Sequence, residues 1–285
     1  MTSPEPDDPR PLLAGVMGWP VAHSRSPLIF AHWFARHAVP GAYVRLAVRP
    51  GDAAEVLRAL PKAGFRGLNV TIPHKLAALE LADEASQAAR AIGAANTLVF
   101  GPDGRVRADN TDAFGFLESL REAAPAWRPD AGLALVLGAG GAARAVVHAL
   151  LGAGLPAIRL ANRSRPNADA LAAHFGDRLT PLDWAARDAA VADAALIVNA
   201  TSLGMRGQPP LALGLDTAAP GTVVADLVYT PLITKLLADA RARGLGVVDG
   251  IGMLLHQARP GFRAWFGHDP AVDPALRGAV LEEER

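Results

Sequence analysis

A lysine placed directly after a strand-like segment is an unusual residue choice in this sequence. The segment GLNVTIPHK, residues 67–75, predicts a strand that stops at Pro73 and places Lys75 in the first turn of a helix. The helix dipole disfavours a cation at that end. Lysine and arginine together number 28, and only Lys62, Lys75 and Lys235 are lysines. Because arginine does not readily give up its proton, the choice of lysine indicates an ammonium group that acts as an acid or base. The alternative is a solvent-exposed charge without a chemical role.

A glycine-rich segment, LALVLGAGGAARAVVHAL, has a strand-like first half and a helix-like second half. Gly138, Gly140 and Ala143 match the pattern G-x-G-x-x-A, in which the first glycine permits a tight turn and the second lets the backbone approach a pyrophosphate. The alternative is a tight turn without a ligand. On the cofactor interpretation, the binding residues are Gly138, Ala139, Gly140, Gly141 and Ala142.

The next predicted strand ends in Asn162, Arg163, Ser164 and Arg165. A fold specific for NAD usually places Asp or Glu near this point to bind the ribose 2′-hydroxyl. Arginine instead suits a 2′-phosphate, since its planar guanidinium pairs with phosphate oxygens. These residues therefore predict NADP (NADPH) as the cofactor, with Arg163 as the main contact and Arg165 as a further one.

Composition sets limits on what these segments belong to. The chain has 285 residues, no net charge, about half hydrophobic residues and no cysteine, which fits two globular domains and excludes disulfides and thiolate metal sites. Balanced charge predicts small-molecule partners rather than nucleic acid or a membrane surface. The start, MTSPEPDDPR, suits a frayed tail rather than a signal peptide. A cytoplasmic protein without a metal is expected, either a monomer or a homodimer.

The elements that must position these residues alternate between short apolar runs and amphipathic runs. The first series includes GLNVTI followed by KLAALELADEASQAARAIG, interpreted as one helical run, and this βαβ order predicts an α/β fold with mostly parallel sheets. A hairpin is predicted around residues 101–104, within NTLVFGPDGRVRADNTD. A second series supplies LALVLG, AIRLAN, ALIVNAT, TVVADLVY and LGVVDG as strands. The domain boundary is placed near the helix AFGFLESLREA and the loop of residues 124–130.

Nine motifs, in order along residues 12–267, resemble the shikimate dehydrogenase family. They are GWPVAHSRSPLIFAHWF, GLNVTIPHK, AIGAANTL, DNTD, LGAGGAARA, NRSR, VNATSLGM, DLVYTPLITKLL and GIGMLLHQA. The resemblance implies a two-domain enzyme that interconverts 3-dehydroshikimate and shikimate with NADP. It further implies a substrate-binding domain over residues 11–118, against which residues 252–285 pack, and a Rossmann domain over residues 119–251.

The resemblance also implies roles for individual residues. Reduction of a ketone by hydride leaves an alkoxide, which a cationic acid stabilises and protonates while a carboxylate holds that acid. Lys75 and Asp112 match the catalytic positions. The substrate-binding positions are matched by Ser24, Ser26, Thr71, Asn96, Tyr229 and Gln257, and further cofactor positions by Asn199, Thr201, Met205 and Gly250.

Several alternatives stay open at this point. Ser26 before Pro27 and Asp112 before a helix are also ordinary helix caps. The sequence departs from the common family pattern at His74, Leu76, Ala113 and Asn167, and Asn167 stands where a second phosphate-binding arginine is frequent. Two other functions compete with the first: an NAD-linked quinate/shikimate dehydrogenase, and a non-catalytic NADP-binding sensor of the same fold.

Overall fold

The structure is a computed structural model that describes residues 12–282. The predicted frayed tail lies outside the described residues. The strands are β1 (Leu13–Gly18), β2 (Ala42–Ala47), β3 (Phe65–Val70), β4 (Glu84–Ala85), β5 (Thr97–Phe100), β6 (Val106–Asp109), β7 (Leu133–Leu137), β8 (Ile158–Asn162), β9 (Leu179–Asp183), β10 (Ala194–Asn199), β11 (Val223–Asp226) and β12 (Gly246–Val248). The helices are α1 (Ser26–His37), α2 (Ala53–Ala59), α3 (Lys75–Glu80), α4 (Gln87–Ile92), α5 (Asp112–Ala123), α6 (Gly141–Gly152), α7 (Arg165–Phe175), α8 (Lys235–Ala242), α9 (Gly250–Phe266) and α10 (Pro274–Leu281).

The chain forms two compact units, each built around one six-stranded sheet. The first unit contains the residues up to Thr111 together with those from Leu255 onward, and the second runs from Asp112 to Leu254. The structural division therefore falls at the start of α5, whereas the sequence-based boundary lay at residues 118 and 119. Both units are of the α/β class, as the sequence predicted.

The sheet of the first unit is mixed rather than parallel throughout. Its strand order is β2-β1-β3-β5-β6-β4, with β1 parallel to β2 and β3. The predicted hairpin joins β5 to β6, and its turn is closed by the amide of Gly104, which donates to the carbonyl of Gly101 at 3.0 Å. Because a tight turn reverses the chain, β6 runs antiparallel to β5, and β5 is also antiparallel to β3.

The segment after β3 is not a single helix. It divides into α3, the two-residue strand β4 and α4. Pairing of Glu84 and Ala85 with β6 interrupts the helical run, although the residues on either side have good helix propensity. Ser86 then caps α4, since its hydroxyl accepts the amide of Ala89 at 3.0 Å.

The sheet of the second unit has the order β12-β11-β10-β7-β8-β9, and all of its strands are parallel. Numbered within the unit, this is the doubly wound order 3-2-1-4-5-6 of a Rossmann fold, whose direction reverses between β7 and β10. The central strands are buried along nearly their whole length, as parallel strands covered by helices require. The sequence analysis missed β9. It contains Pro181, which an edge strand tolerates.

Aromatic rings fill the core of the first unit. Phe30 on α1 stacks on Tyr43 of β2 at a centroid distance of 3.8 Å and lies 5.7 Å from Trp265 of α9. The indole nitrogen of Trp265 donates to the carbonyl of Leu98 at 2.9 Å, and that of Trp33 donates to Ala271 at 3.0 Å. These contacts hold the C-terminal helices against the sheet formed by the first part of the chain.

None of the helices within residues 12–282 combines the length and the apolar character needed to span a membrane.

We expect Gly67→Ala to destabilise the first unit. A methyl group at this position in β3 would overlap both partners of the indole hydrogen bond, the Trp265 nitrogen and the Leu98 oxygen. Overpacking of this kind costs about 1–3 kcal/mol. Gly51→Ala is the control in the same unit, because no atom lies within 4 Å of a methyl group there. Urea denaturation followed by circular dichroism measures both variants, and equal stabilities would contradict the prediction.

Candidate active site

Polar side chains collect at one edge of the first sheet. β1 and β3 end at this edge, and the antiparallel β5 begins there, since Thr97 lies opposite Asn69. β6 ends at the same edge, with Asp109 opposite Thr97. The topology therefore brings together the residues that follow β1, β3 and β6 and the residue before β5, which is Asn96. Most of the predicted substrate-binding residues of this unit belong to those segments.

Asn96 is the centre of this polar edge and is only 2% exposed. Its Oδ1 accepts the amide of Thr111 at 2.8 Å and the hydroxyl of Thr97 at 2.9 Å. Its Nδ2 donates to Thr111 Oγ1 at 3.0 Å and to Gln257 Oε1 at 3.3 Å. The Thr111 hydroxyl also bonds the carbonyl of Gln257 at 2.8 Å. Asn96 and Gln257, predicted as separate contacts, thus belong to one network, with Thr111 between them.

Ser24 and Ser26 are both buried, and their hydroxyl oxygens lie 3.3 Å apart. Ser26 is the first residue within α1, and the cap position is occupied by Arg25, whose side chain makes no capping bond. Ser24 Oγ accepts the amide of Ser26 at 3.4 Å. Arg45 donates two hydrogen bonds, of 2.9 and 2.7 Å, to the carbonyl of Ser24 and so fixes this turn. The pair presents two adjacent hydroxyl donors, which capping by Ser26 alone does not explain.

A buried chain of hydrogen bonds links Ser26 to Asn96 through Tyr43, Asn69 and Thr97, and the sequence analysis missed these three inner members. Tyr43 donates to Asn69 Oδ1 at 2.7 Å, and Asn69 Nδ2 donates to Thr97 Oγ1 at 3.2 Å. Burial raises the pKa of Tyr43 well above its ordinary value, against a smaller lowering by its hydrogen bond with Ser26, so its phenol keeps its proton. The available signal was an asparagine inside the apolar run GLNVTI.

Lys75 begins α3 at the same polar edge and is partly buried. Its carbonyl accepts the amide of Ala95 at 2.8 Å, so the lysine backbone is held beside Asn96. The buried ring of His74 lies with Nε2 2.8 Å from the carbonyl of Val48, which gives this departure from the family pattern a structural role.

Thr71 and Asp112 each lie where one element meets the next, Thr71 in the first unit and Asp112 in the second. Thr71 follows β3 directly, and its amide donates to the carbonyl of Met17 at 2.9 Å. Asp112 is the first residue of α5, belongs to the second unit and is 5% exposed. A carboxylate in the first turn of a helix is favoured by the helix dipole, which applies whether or not the residue also has a chemical role.

The glycines after β7 divide into two roles. Gly138 has a φ of +107°, and a methyl group there would lie 2.9 Å from the carbonyl oxygen of Ala200, so the turn requires glycine. Gly140 precedes α6 with an extended backbone that any residue can adopt, and a methyl group there would meet no atom within 4 Å. Ala143 is fully buried, as close helix packing requires. The open side of Gly140 leaves room beside the backbone, and the binding of a ligand there stays a prediction.

The loop after β8 carries exposed cations. Asn162 donates to the carbonyl of Ser164 at 2.8 Å, which shapes the turn, and Arg163 is exposed. Arg165 is held differently, because its Nε donates to Asp169 at 2.7 Å and its Nη1 to Asp183 at 2.8 Å. These two hydrogen bonds raise the pKa of Arg165 above its ordinary value. A phosphate contact by Arg165 would therefore share the guanidinium with two carboxylates, whereas Arg163 has neither of these pairs.

The remaining predicted residues of the second unit lie at the end of β10, on the loops after β10 and β11, and at the start of α9. Asn199 is fully buried at the end of β10, and Thr201 and Met205 follow it partly buried. Tyr229 lies in the loop after β11 and is partly buried. Gly250 begins α9, where a methyl group would overlap the backbone of residues 227 and 228, so glycine is required there for packing. The sequence analysis gave no role to Asp226, which connects the two loops.

Among the described residues, no group of three or more His, Asp or Glu side chains is arranged to hold a metal ion.

Family profiles match three parts of the chain. Residues 16–98 match the shikimate dehydrogenase substrate binding domain, and residues 129–204 match the shikimate/quinate 5-dehydrogenase profile. Residues 250–277 match the shikimate 5'-dehydrogenase C-terminal domain. Along the chain, the first match contains most of the polar edge, the second contains the glycine turn, and the third contains α9.

Individual relatives are similar over almost the whole chain. The shikimate dehydrogenase (NADP(+)) of Paracoccus denitrificans is 57% identical over 269 residues, which are 94% of this chain and 95% of that protein. A Thermus thermophilus shikimate 5-dehydrogenase, solved with NADP(H) and shikimate, is 39% identical with a TM-score of 0.84, covering 95% and 98% of the two chains. A Corynebacterium glutamicum quinate dehydrogenase, solved with NAD, is 32% identical with a TM-score of 0.88, covering 95% and 99%. This chain therefore belongs to the shikimate dehydrogenase family.

Proposed function

We propose that this protein is an NADP-dependent shikimate dehydrogenase, an oxidoreductase of aromatic amino acid biosynthesis that reversibly reduces 3-dehydroshikimate to shikimate. The observation that carries this function is the polar edge of the first sheet. There the backbone of Lys75 is fastened beside Asn96 by the 2.8 Å bond from Ala95, and Asn96 is bonded to Thr111 and Gln257. A lysine whose backbone is held next to amide and hydroxyl groups suits a polyhydroxylated ring with one reacting carbonyl.

The substrate carboxylate is assigned to Ser24 and Ser26. Two adjacent hydroxyls can donate to one anion, and the two bonds from Arg45 hold their turn in place. Asn96 and Gln257, with Thr71, are assigned to the ring hydroxyls, and Tyr229 to a further substrate contact. A buried amide left without its partners costs roughly 1–3 kcal/mol, so the network around Asn96 favours one fixed orientation of these groups.

Lys75 and Asp112 are assigned to the chemistry. NADPH, when bound, supplies the hydride. Lys75 stabilises the alkoxide that forms from the substrate carbonyl and gives it a proton, which arginine could not readily do. Asp112 holds and tunes the ammonium group. In the oxidative direction the same pair removes the hydroxyl proton.

The cofactor is assigned to the second unit. The open side of Gly140 and the amides at the start of α6 fit a pyrophosphate, and Arg163 fits a 2′-phosphate. Residues 138–142 and Asn162, Ser164 and Arg165 complete the adenosine side, and Asn199, Thr201, Met205 and Gly250 the nicotinamide side. The NAD-linked alternative is less well supported, because β8 ends without a carboxylate and the NADP(+)-linked relative is the more similar in sequence, at 57% against 32% identity. The cytoplasmic location and the choice between monomer and homodimer stay predictions.

A direct assay tests the function. Purified protein is given shikimate or quinate with NADP or NAD, and absorbance of the reduced nicotinamide is followed. We expect oxidation of shikimate with NADP to be the most efficient pairing, because quinate carries an added hydroxyl at the carbon bearing the carboxylate held by Ser24 and Ser26. Comparable efficiency with quinate and NAD would favour the alternative, and no turnover with any pair would favour the sensor.

Lys75→Ala should lower kcat by roughly 10²- to 10⁴-fold, the usual range for an acid–base group. The affinity for NADPH should persist, because Lys75 belongs to the first unit and the cofactor is assigned to the second. Lys75→Arg should be nearly as damaging, since it keeps the charge but gives up a proton poorly. Near-normal turnover of the arginine variant would show that charge alone is sufficient.

Arg163→Ala should weaken NADP binding by about 10- to 100-fold, as expected for one charge-assisted contact of roughly 1.5–3 kcal/mol. NAD binding should change little. Arg165→Ala is the matched control two residues away, and a smaller loss is expected because Asp169 and Asp183 already bond that guanidinium. Dissociation constants for both cofactors measure this. Equal losses for NADP and NAD in Arg163→Ala would contradict the phosphate assignment.

A further inference from the structure

A buried carboxylate, Asp226, lies at the end of β11 and is 1% exposed. Three donors converge on it. Its Oδ1 accepts from Asn199 Nδ2 at 2.9 Å and from the amide of Val228 at 3.0 Å, and its Oδ2 accepts from the hydroxyl of Thr234 at 2.6 Å. These donors come from the end of β10, the loop after β11 and the residue that caps α8. One side chain therefore joins three separate segments at the carboxyl edge of the second sheet.

On one side, Asp226 controls the loop that follows β10. The Asn199 amide that donates to Asp226 also donates to the carbonyl of Leu203 at 3.0 Å. Asn199 Oδ1 accepts both the amide of Thr201, at 3.1 Å, and its hydroxyl, at 2.7 Å. Because Asn199 makes all of these bonds, fixing its side chain fixes the course of the backbone toward Met205.

On the other side, Asp226 controls the loop that carries Tyr229. The bond from Val228 holds the backbone immediately before the tyrosine. The Thr234 hydroxyl donates to Asp226 and also accepts the amide of Leu237 at the start of α8. Asp226 therefore holds the residue that caps this helix. The two loops are joined again by the amide of Arg206, which donates to the carbonyl of Thr230 at 2.8 Å.

Burying the charged form of this carboxylate has a stability cost. Burial raises the pKa of Asp226 to about 6, although hydrogen bonds from Thr234, Val228 and Asn199 act in the opposite direction. A neutral or apolar side chain of similar size avoids the desolvation of a charge. The carboxylate is nevertheless well suited to its position, because its two oxygens accept several donors from different directions.

We propose that Asp226 is a positioning residue that holds the loops after β10 and β11 in one fixed arrangement, so that Thr201, Met205 and Tyr229 keep their places during hydride transfer. The inference rests on the proposed function for the roles of these three residues. Asp226 itself acts through Asn199, Val228 and Thr234 rather than by contact with the reacting atoms.

Asp226→Ala tests this role, with Asp226→Asn as the conservative variant and Thr222→Val as the control. Asparagine keeps Oδ1 as an acceptor and can donate to the Thr234 hydroxyl. Thr222 lies just before the start of β11, is buried, and its hydroxyl donates to the carbonyl of Ala194 at 3.0 Å. Thr222→Val therefore removes one buried hydrogen bond of the same sheet at the end far from both loops.

We expect Asp226→Ala to lower kcat by about 10-fold or more and to weaken NADPH binding by about 10-fold, a change of about 1.4 kcal/mol. The primary isotope effect for shikimate deuterated at the oxidised carbon should rise, because hydride transfer becomes slower relative to the other steps. Asp226→Asn should stay within about 3-fold of wild type, and Thr222→Val should lose stability only. All variants are assayed below their unfolding temperatures.

Equal kcat and isotope effects for Asp226→Ala and Thr222→Val would overturn the proposal. If Asp226→Ala does not fold, Thr234→Val replaces it, since that change removes the partner of Oδ2; wild-type kinetics in Thr234→Val would then be the contradicting result. NADPH dissociation constants, measured by fluorescence titration, do not depend on which substrate is reduced. A wild type that binds NADPH without oxidising shikimate would refute the proposed function, while the Asp226→Ala dissociation constant would still decide whether the carboxylate positions the β10 loop.

Discussion

A polar side chain that leaves water on folding must find hydrogen-bond partners within the protein, and this requirement organises both units of the chain. In the first unit it joins Asn96, which precedes β5, to Thr111 after β6 and to Gln257 in α9. In the second it joins Asp226, at the end of β11, to Asn199 at the end of β10 and to Thr234 at the start of α8. Each network places its polar atoms at the edge of a sheet, where strands end and backbone groups need partners as well. Rigid placement of the assigned site residues follows from this requirement.

Glycine complements these networks, because the absence of a side chain lets other atoms come close to the backbone. At Gly67 the space is taken by a hydrogen bond between an indole and a carbonyl, and at Gly250 by the backbone of a neighbouring loop. At Gly140 no protein atom takes the space. Three glycines that look alike in the sequence therefore differ: one belongs to a core contact, one to a loop contact, and one leaves open space beside the backbone. Only their neighbours in the folded chain distinguish them.

The sequence predicted the α/β class, the glycine turn and most strands because these depend on local patterns of apolar residues. It could not predict β9, whose Pro181 is compatible with an edge strand only, or the interruption at Glu84–Ala85, where pairing with β6 overrides helix propensity. The hydrogen bonds that run from Tyr43 through Asn69 toward Asn96 could not be predicted from the sequence either. They join residues far apart in the chain, and no local pattern shows which polar side chains will meet in a core.

The discontinuous composition of the first unit determines the order in which a newly made chain can fold. Its early strands leave the ribosome well before α9, yet they need the ring of Trp265 to cover Gly67 and to bond Leu98. The second unit is continuous, and all of its residues emerge before α9 is complete. During synthesis the earlier sheet therefore lacks the indole that packs on Gly67 until all residues of the later sheet have been made.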